Sequence, residues 1–100
     1  MTITEIRIAL LDDPRLKAFV SVTFDDVFVV KGLKIIEGKA GRLFLAMPSR
    51  KRPDGRYQDI LHPIHQDFRN RLEEAVLSEY SRRLRAETPD PERVASLRAE

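Results

Sequence analysis

From residue 2 to residue 10, apolar and polar side chains alternate. Thr4, Ile6, Ile8 and Leu10 fall on one side, and Ile3, Glu5, Arg7 and Ala9 on the other. A period of two predicts a half-buried strand, because successive side chains leave opposite faces of an extended backbone. Asp12-Asp13-Pro14 ends the pattern, since proline fixes φ and short acids favour turns. A second strand follows from Leu16, with Ala18, Val20, Val22 and Phe24 on its apolar side. Lys17, Phe19, Ser21 and Thr23 make its other side, mostly polar with one aromatic. The two read as a hairpin.

Asp25-Asp26 predicts the next turn, and residues 27–37 (VFVVKGLKIIE) a longer strand with Gly32 inside it. A glycine there points to a bulge or a bend. Gly38-Lys39-Ala40-Gly41 closes a second hairpin, and residues 42–47 return. Consecutive Leu43, Phe44, Leu45 and Ala46 suggest that this return strand is covered on both faces. Residues 48–59 hold no core-forming run. A Pro53-Asp54-Gly55 turn among four basic residues reads as an exposed loop or the tip of a long hairpin. Residues 60–64 form a short extended piece, because the residue before Pro63 is steered away from helix.

From about residue 66 to residue 85 the period changes to that of a helix. Phe68, Leu72, Ala75, Val76, Tyr80 and Leu84 make its core-facing stripe. Asp67 in the first turn and arginines in the last suit the helix dipole. Two ordinary i, i+4 bridges are available on it, Arg69 with Glu73 and Glu79 with Arg83. Asp90-Pro91-Glu92 is an N-cap signature for a short second helix in the tail, marginal unless it packs.

The fold class is therefore α+β: a small antiparallel sheet of four to five strands, then one long C-terminal helix. Residues 1–86 form the domain and residues 87–100 the tail. One helix covers only part of one sheet face, and an open edge must be covered, charged or paired. Apolar surface is left for a partner, and a twofold homodimer is the commonest arrangement that uses it.

Composition narrows the function classes. The 100 residues are 42% hydrophobic, enough for one modest core. There is no cysteine, which excludes a disulfide framework, a Cys-ligated zinc site and a thiol nucleophile. No apolar run approaches the ~20 residues that span a bilayer, and the N-terminal residues lack the basic region and cleavage site of an export signal. The expectation is a cytoplasmic protein that uses no membrane. No glycine-rich phosphate loop, nucleophile elbow or paired-carboxylate motif is present, so neither an enzyme nor a cofactor is expected, and no small-molecule substrate. His62 and His65, with Asp59 and Asp67 nearby, offer a minor metal reading. The plainer one makes one histidine a packing residue and the other a helix cap.

Charge gives the stronger lead. The net charge is only +2, but the basic residues cluster. Arg50, Lys51, Arg52 and Arg56 surround the Pro-Asp-Gly turn, with Tyr57 beside them, and the helix adds Arg69, Arg71, Arg82, Arg83 and Arg85. Arginine suits phosphate because its planar fork donates two hydrogen bonds to one group.

Residues 46–64, AMPSRKRPDGRYQDILHPI, resemble the SpoVG family (stage V sporulation protein G, or septation protein). FVVKGLKIIEG before them, RLEEAVLSEY after them and the N-terminal TEIRI agree as well, so the resemblance covers about residues 3–83. It implies a small antiparallel sheet followed by a helix, assembled as a dimer. It also implies a bacterial cytosolic protein without catalysis that binds DNA and RNA and influences septation and gene expression. Carried onto this sequence, the nucleic-acid-binding residues are Arg50, Lys51, Arg52, Arg69, Arg71, Arg82 and Arg83. Leu61 departs from the pattern, standing where a smaller residue is expected. The alternative function is a protein-interaction module in cell division whose basic residues only solvate the surface.

Overall fold

The computed structural model describes residues 1–87. The expected tail helix after Asp90 lies outside them. Strand β1 (Ile3–Leu10) pairs antiparallel with β2 (Leu16–Phe24), β2 with β3 (Phe28–Glu37) and β3 with β4 (Leu43–Ala46). The sheet order is β1-β2-β3-β4. A separate hairpin pairs β5 (Ser49–Lys51) with β6 (Tyr57–Asp59), and α1 (Gln66–Glu87) closes the fold. The α+β class and the single long helix are as the sequence predicts.

The core lies between α1 and one face of the four-stranded sheet. Val20, Val22, Leu33, Ile35 and Val76 are its most completely buried large side chains. On the helix, Leu72, Val76 and Tyr80 are buried as expected, and Leu77 packs beside them although it stood outside the predicted stripe. Leu84 is exposed.

Three bulges interrupt the ladders; in one, Lys17 stands extra between Leu16 and Ala18, whose partners Ile36 and Ile35 are adjacent. In β1 an extra residue, Thr4, stands between Ile3 and Glu5, whose partners Phe24 and Thr23 are adjacent. Strict alternation placed Ile3 with Glu5 and Arg7. The bulge instead turns Ile3 onto the core, where it joins Ile6 and Leu10. In β3 the partners of Val20 and Val22 are Leu33 and Val30, so Lys31 and Gly32 together oppose Ser21. Gly32 takes φ +88, a conformation that a side chain would strain. The glycine bulge predicted from the sequence is there.

The β2–β3 turn needs two consecutive left-handed residues, Asp25 (φ 52) and Asp26 (φ 56), as in a type I′ hairpin. The N-terminal segment holds it in place. The Asp25 N–H donates to the Thr2 carbonyl at 2.8 Å, and the Thr4 hydroxyl accepts from the Asp26 N–H at 3.0 Å.

The expectation that β4 is covered on both faces is overturned. Leu45 is buried, but Phe44 on the opposite face is 40% exposed, since α1 covers one side of the sheet only. β4 is also an edge strand, and α1 protects it. The Leu45 N–H donates to the Glu73 carboxylate at 3.0 Å. That bond replaces the expected Glu73–Arg69 bridge. Hydrogen bonds to charged groups contribute about 1.5–3 kcal/mol. Glu73→Ala is therefore expected to lower the unfolding free energy by about 2 kcal/mol, measured by urea denaturation, and Glu73→Gln by less.

Candidate nucleic-acid interface

The basic loop is a hairpin whose turn follows from its sequence. Gly55 N–H donates to the Arg52 carbonyl at 2.9 Å, and Arg52 N–H to the Arg56 carbonyl at 2.6 Å. Pro53 suits the first central position of the turn, and Gly55 takes φ +89 after it. The Asp54 carboxylate accepts the Arg56 N–H at 3.0 Å and fixes the far side. At its base, Ile60 N–H donates to the Pro48 carbonyl at 2.7 Å.

The register then sorts the charges. Arg50 opposes Gln58 and Lys51 opposes Tyr57. Cross-strand partners share a face and neighbours along a strand do not. Arg50, Arg52 and Arg56 therefore share one face with Gln58, while Lys51 stands on the other with Tyr57. Arg56, absent from the residues carried over by resemblance, belongs to the same face as Arg50 and Arg52. The signal that finds it is the two-residue periodicity read across the Pro-Asp-Gly turn.

The helix arginines lie on two flanks. Glu73 reaches β4, and Arg69, one turn earlier, stands on that flank, beside the strand from whose end the hairpin springs. Arg83 lies on the same side, about 20 Å further along the axis at 1.5 Å per residue. Arg71 shares the opposite flank with Glu74 and Ser78, facing Thr2 and Ile3 of the β1 edge. Its guanidinium sits 5.3 Å from the Phe68 ring centroid, a cation–π contact. Arg82, eleven residues on, returns to the Arg71 side. The register thus puts Arg50 and Arg52 on one hairpin face and Lys51 on the other, and on α1 Arg69 and Arg83 lie on the Glu73 flank, apart from Arg71 and Arg82.

Part of this charge is already engaged. Arg82 grips Glu79 with two hydrogen bonds, Nε to Oε1 at 2.9 Å and a terminal nitrogen to Oε2 at 2.5 Å. The sequence paired Glu79 with Arg83. The closer partner is Arg82, and the Arg83 charge adds to the same carboxylate. That hydrogen bond from Arg82 holds Glu79 below its ordinary pKa. Asp13 is lowered too, by the backbone N–H groups of Leu16 and Arg15. Both contributions to stability are present above the ordinary carboxylate range near pH 4 and are lost as pH falls through the folded values. Tyr80 runs the other way. Burial, helped by the Glu37 charge, raises its phenol. Its contribution is complete below about pH 10 and is lost as pH rises through the folded value. Urea midpoints are expected to fall from pH 5 to pH 3, and Tyr80→Phe is expected to flatten the alkaline decline.

Next to the hairpin, the inner sheet face is not fully roofed. A groove of about 470 Å³ opens where α1 begins. Phe28, Val30 and Met47 form its sheet wall, and Leu61, Pro63 and Ile64 its other wall. Phe68 closes it at the helix, 6.0 Å from Phe24 between ring centroids. Phe28 is 61% exposed and Ile64 85%. His62 and His65 are exposed on its rim. The His62 Nδ1 lies 3.1 Å from the Pro63 carbonyl oxygen, and the His65 carbonyl accepts the Arg69 N–H. Among the described residues, no three His, Asp or Glu side chains converge as a metal site would require. No helix among them is long and apolar enough to cross a membrane.

A four-stranded antiparallel meander, one long helix across its inner face, and a basic hairpin beside an open apolar groove define a small α+β protein built around exposed surfaces. The chain belongs to the SpoVG family, whose model matches residues 1–82. Among curated relatives, a protein of Caldanaerobacter subterraneus subsp. tengcongensis is 55% identical over 83 residues, covering 82% of this chain and 90% of the relative. One from Anaeromyxobacter sp. strain Fw109-5 is 48% identical over 85 residues, covering 85% and 87%. One from Myxococcus xanthus is 46% identical over 84 residues, covering 84% of each. All three carry the name "Putative septation protein SpoVG".

Proposed function

We propose that this chain is a non-catalytic cytoplasmic regulator of septation and gene expression that binds DNA or RNA as a homodimer. The observation that carries the reading is the hairpin face bearing Arg50, Arg52 and Arg56. All three side chains are exposed, and none makes a hydrogen bond or ion pair within the described residues. Unengaged guanidinium groups on a turn-stiffened hairpin suit the phosphates of a polyanion. Septation enters from the relatives' names.

The homodimer rests on the groove. Its rim carries protruding side chains, Phe28 and Ile64, beside a concavity lined by Val30 and Met47. A surface with both knob and hole can meet its own copy about a twofold axis. Such a pair also doubles the basic surface.

Fluorescence anisotropy with DNA and RNA, duplex and single-stranded, at 50 and 200 mM salt tests the reading. Binding at micromolar concentration or tighter is expected. If the dimer engages six phosphates, the affinity falls about 10³-fold between the two salts. No binding to any probe at the lower salt overturns it. The second reading, a protein-interaction module, is favoured by Arg82 and Arg71 being engaged within the chain. A stoichiometric protein partner that survives nuclease, with no nucleic-acid binding, would establish that reading instead.

A further inference from the structure

The sheet face turned away from α1 carries two exposed aromatic rings on different strands. Phe19 on β2 is 44% exposed and Phe44 on β4 is 40% exposed. The register fixes their relation. Phe19 pairs with Lys34, Lys34 with Ala46, and Phe44 with Ile36. The rings are thus two strands and two residues apart, about 12 Å by strand spacing and rise, with Lys34 in the row between them. Lys34 is half-buried, and its side chain makes no ion pair or hydrogen bond within the described residues. Phe44 is seated by the lack of a side chain at Gly38, where an added Cβ would lie 3.2 Å from the ring. The ring is held on one side and open on the other.

We infer that this outer face is a stacking platform for single-stranded nucleic acid, with bases on Phe19 and Phe44 and the intervening phosphate on Lys34. The inference rests on the nucleic-acid reading above and narrows it to single strands. Every base has a π-face, and aromatic side chains on a sheet take unstacked bases without needing a particular sequence. A duplex hides its base faces within its own stack and cannot use such rings. The charge on the face favours a polyanion. Lys31 and Lys34 are cationic, and the acid there, Glu5, is already bonded to Arg7 at 3.2 Å. A second copy docked face to face would set lysine against lysine with no acid to spare.

The full chain contains no tryptophan, so F19W introduces a single reporter. Adding a twelve-nucleotide oligo(dT) or oligo(U) is expected to quench the F19W indole by more than about half, the signature of base stacking. F19L and F44L keep apolar bulk and the fold but lose the π-face. Each is expected to weaken single-strand binding about 10-fold, and K34Q several-fold, with duplex binding changed less than about twofold. Circular dichroism and melting check that each variant is folded. Single-strand binding that leaves the F19W indole unquenched and is unmoved in F19L and F44L overturns the platform while the hairpin reading stands. No nucleic-acid binding by the parent chain overturns both. A change from dimer to monomer in sedimentation of F19L or F44L shows that a second copy covers this face, and overturns the platform alone.

Discussion

The triple variant R50Q/K51Q/R52Q is expected to bind nucleic acid at least about 100-fold more weakly than the parent chain near 0.1 M salt. Its dependence of log K on log salt is expected to flatten by nearly two units per chain, from Arg50 and Arg52, with Lys51 on the other face adding less. Both figures follow from counterion release, in which each phosphate neutralised on a duplex contributes about 0.9 to the slope. Glutamine keeps most of the side-chain length and removes the charge. The fold should be indifferent, because all three side chains are exposed and the hairpin is held by backbone bonds and Asp54. The single variants refine the result. Arg50 and Arg52 share a face with Arg56, and Lys51 does not. R50Q and R52Q should therefore each weaken binding more than K51Q, and R56Q should behave like R52Q. Unchanged affinity in the triple variant removes the hairpin from the site, and equal effects of the singles remove the face distinction. Anisotropy titrations at several salts read both.

The sequence disclosed the architecture wherever one physical signal dominated. Period-two alternation marked β1 and β2, and Gly32 announced its bulge because positive φ is cheap only for glycine. The 3.6-residue stripe through Leu72, Val76 and Tyr80 marked α1 and its buried side. What stayed hidden depended on long-range geometry. The Thr4 bulge turned Ile3 inward with no glycine to signal it. Phe44 sits in an unbroken apolar run, Leu43 to Ala46, so its open face was invisible until the helix proved to cover one side only. Local pairing rules also misassigned Glu73. A tertiary bond to the Leu45 N–H outcompeted its i−4 arginine, because an edge-strand donor has no partner of its own. For the candidate interface, residue type and clustering were readable in SRKRPDGR. The division into faces and flanks needed the strand register and the helix's orientation over β4.

If the chain dimerises through the groove as proposed, replacing Phe28 and Ile64 together by glutamate is expected to give monomers while leaving each chain folded. Both side chains are mostly exposed in the single chain, 61% and 85%, so little folding energy rests on them. Surface substitutions of this kind change stability by about 0.5 kcal/mol or less. In a twofold interface each substitution counts twice. Burying one Phe or Ile side chain contributes about 1.5–3 kcal/mol, and the glutamates add unpaired carboxylates to an apolar contact. Phe28 is already partly buried, so losing the two phenylalanines removes about 2–4 kcal/mol, and the isoleucines and the charge carry the total past the ~4 kcal/mol of a 10³-fold weaker dimer. Sedimentation velocity at micromolar protein reads the change directly. A variant that stays dimeric places the twofold contact elsewhere, and the groove then loses its role. The monomer also bears on nucleic-acid binding. If both hairpins of a dimer engage one nucleic acid, separating them halves the phosphates neutralised and halves the salt slope. A monomeric variant that keeps the parent slope would show that one chain supplies all the contacts, and that dimerisation serves a purpose other than binding.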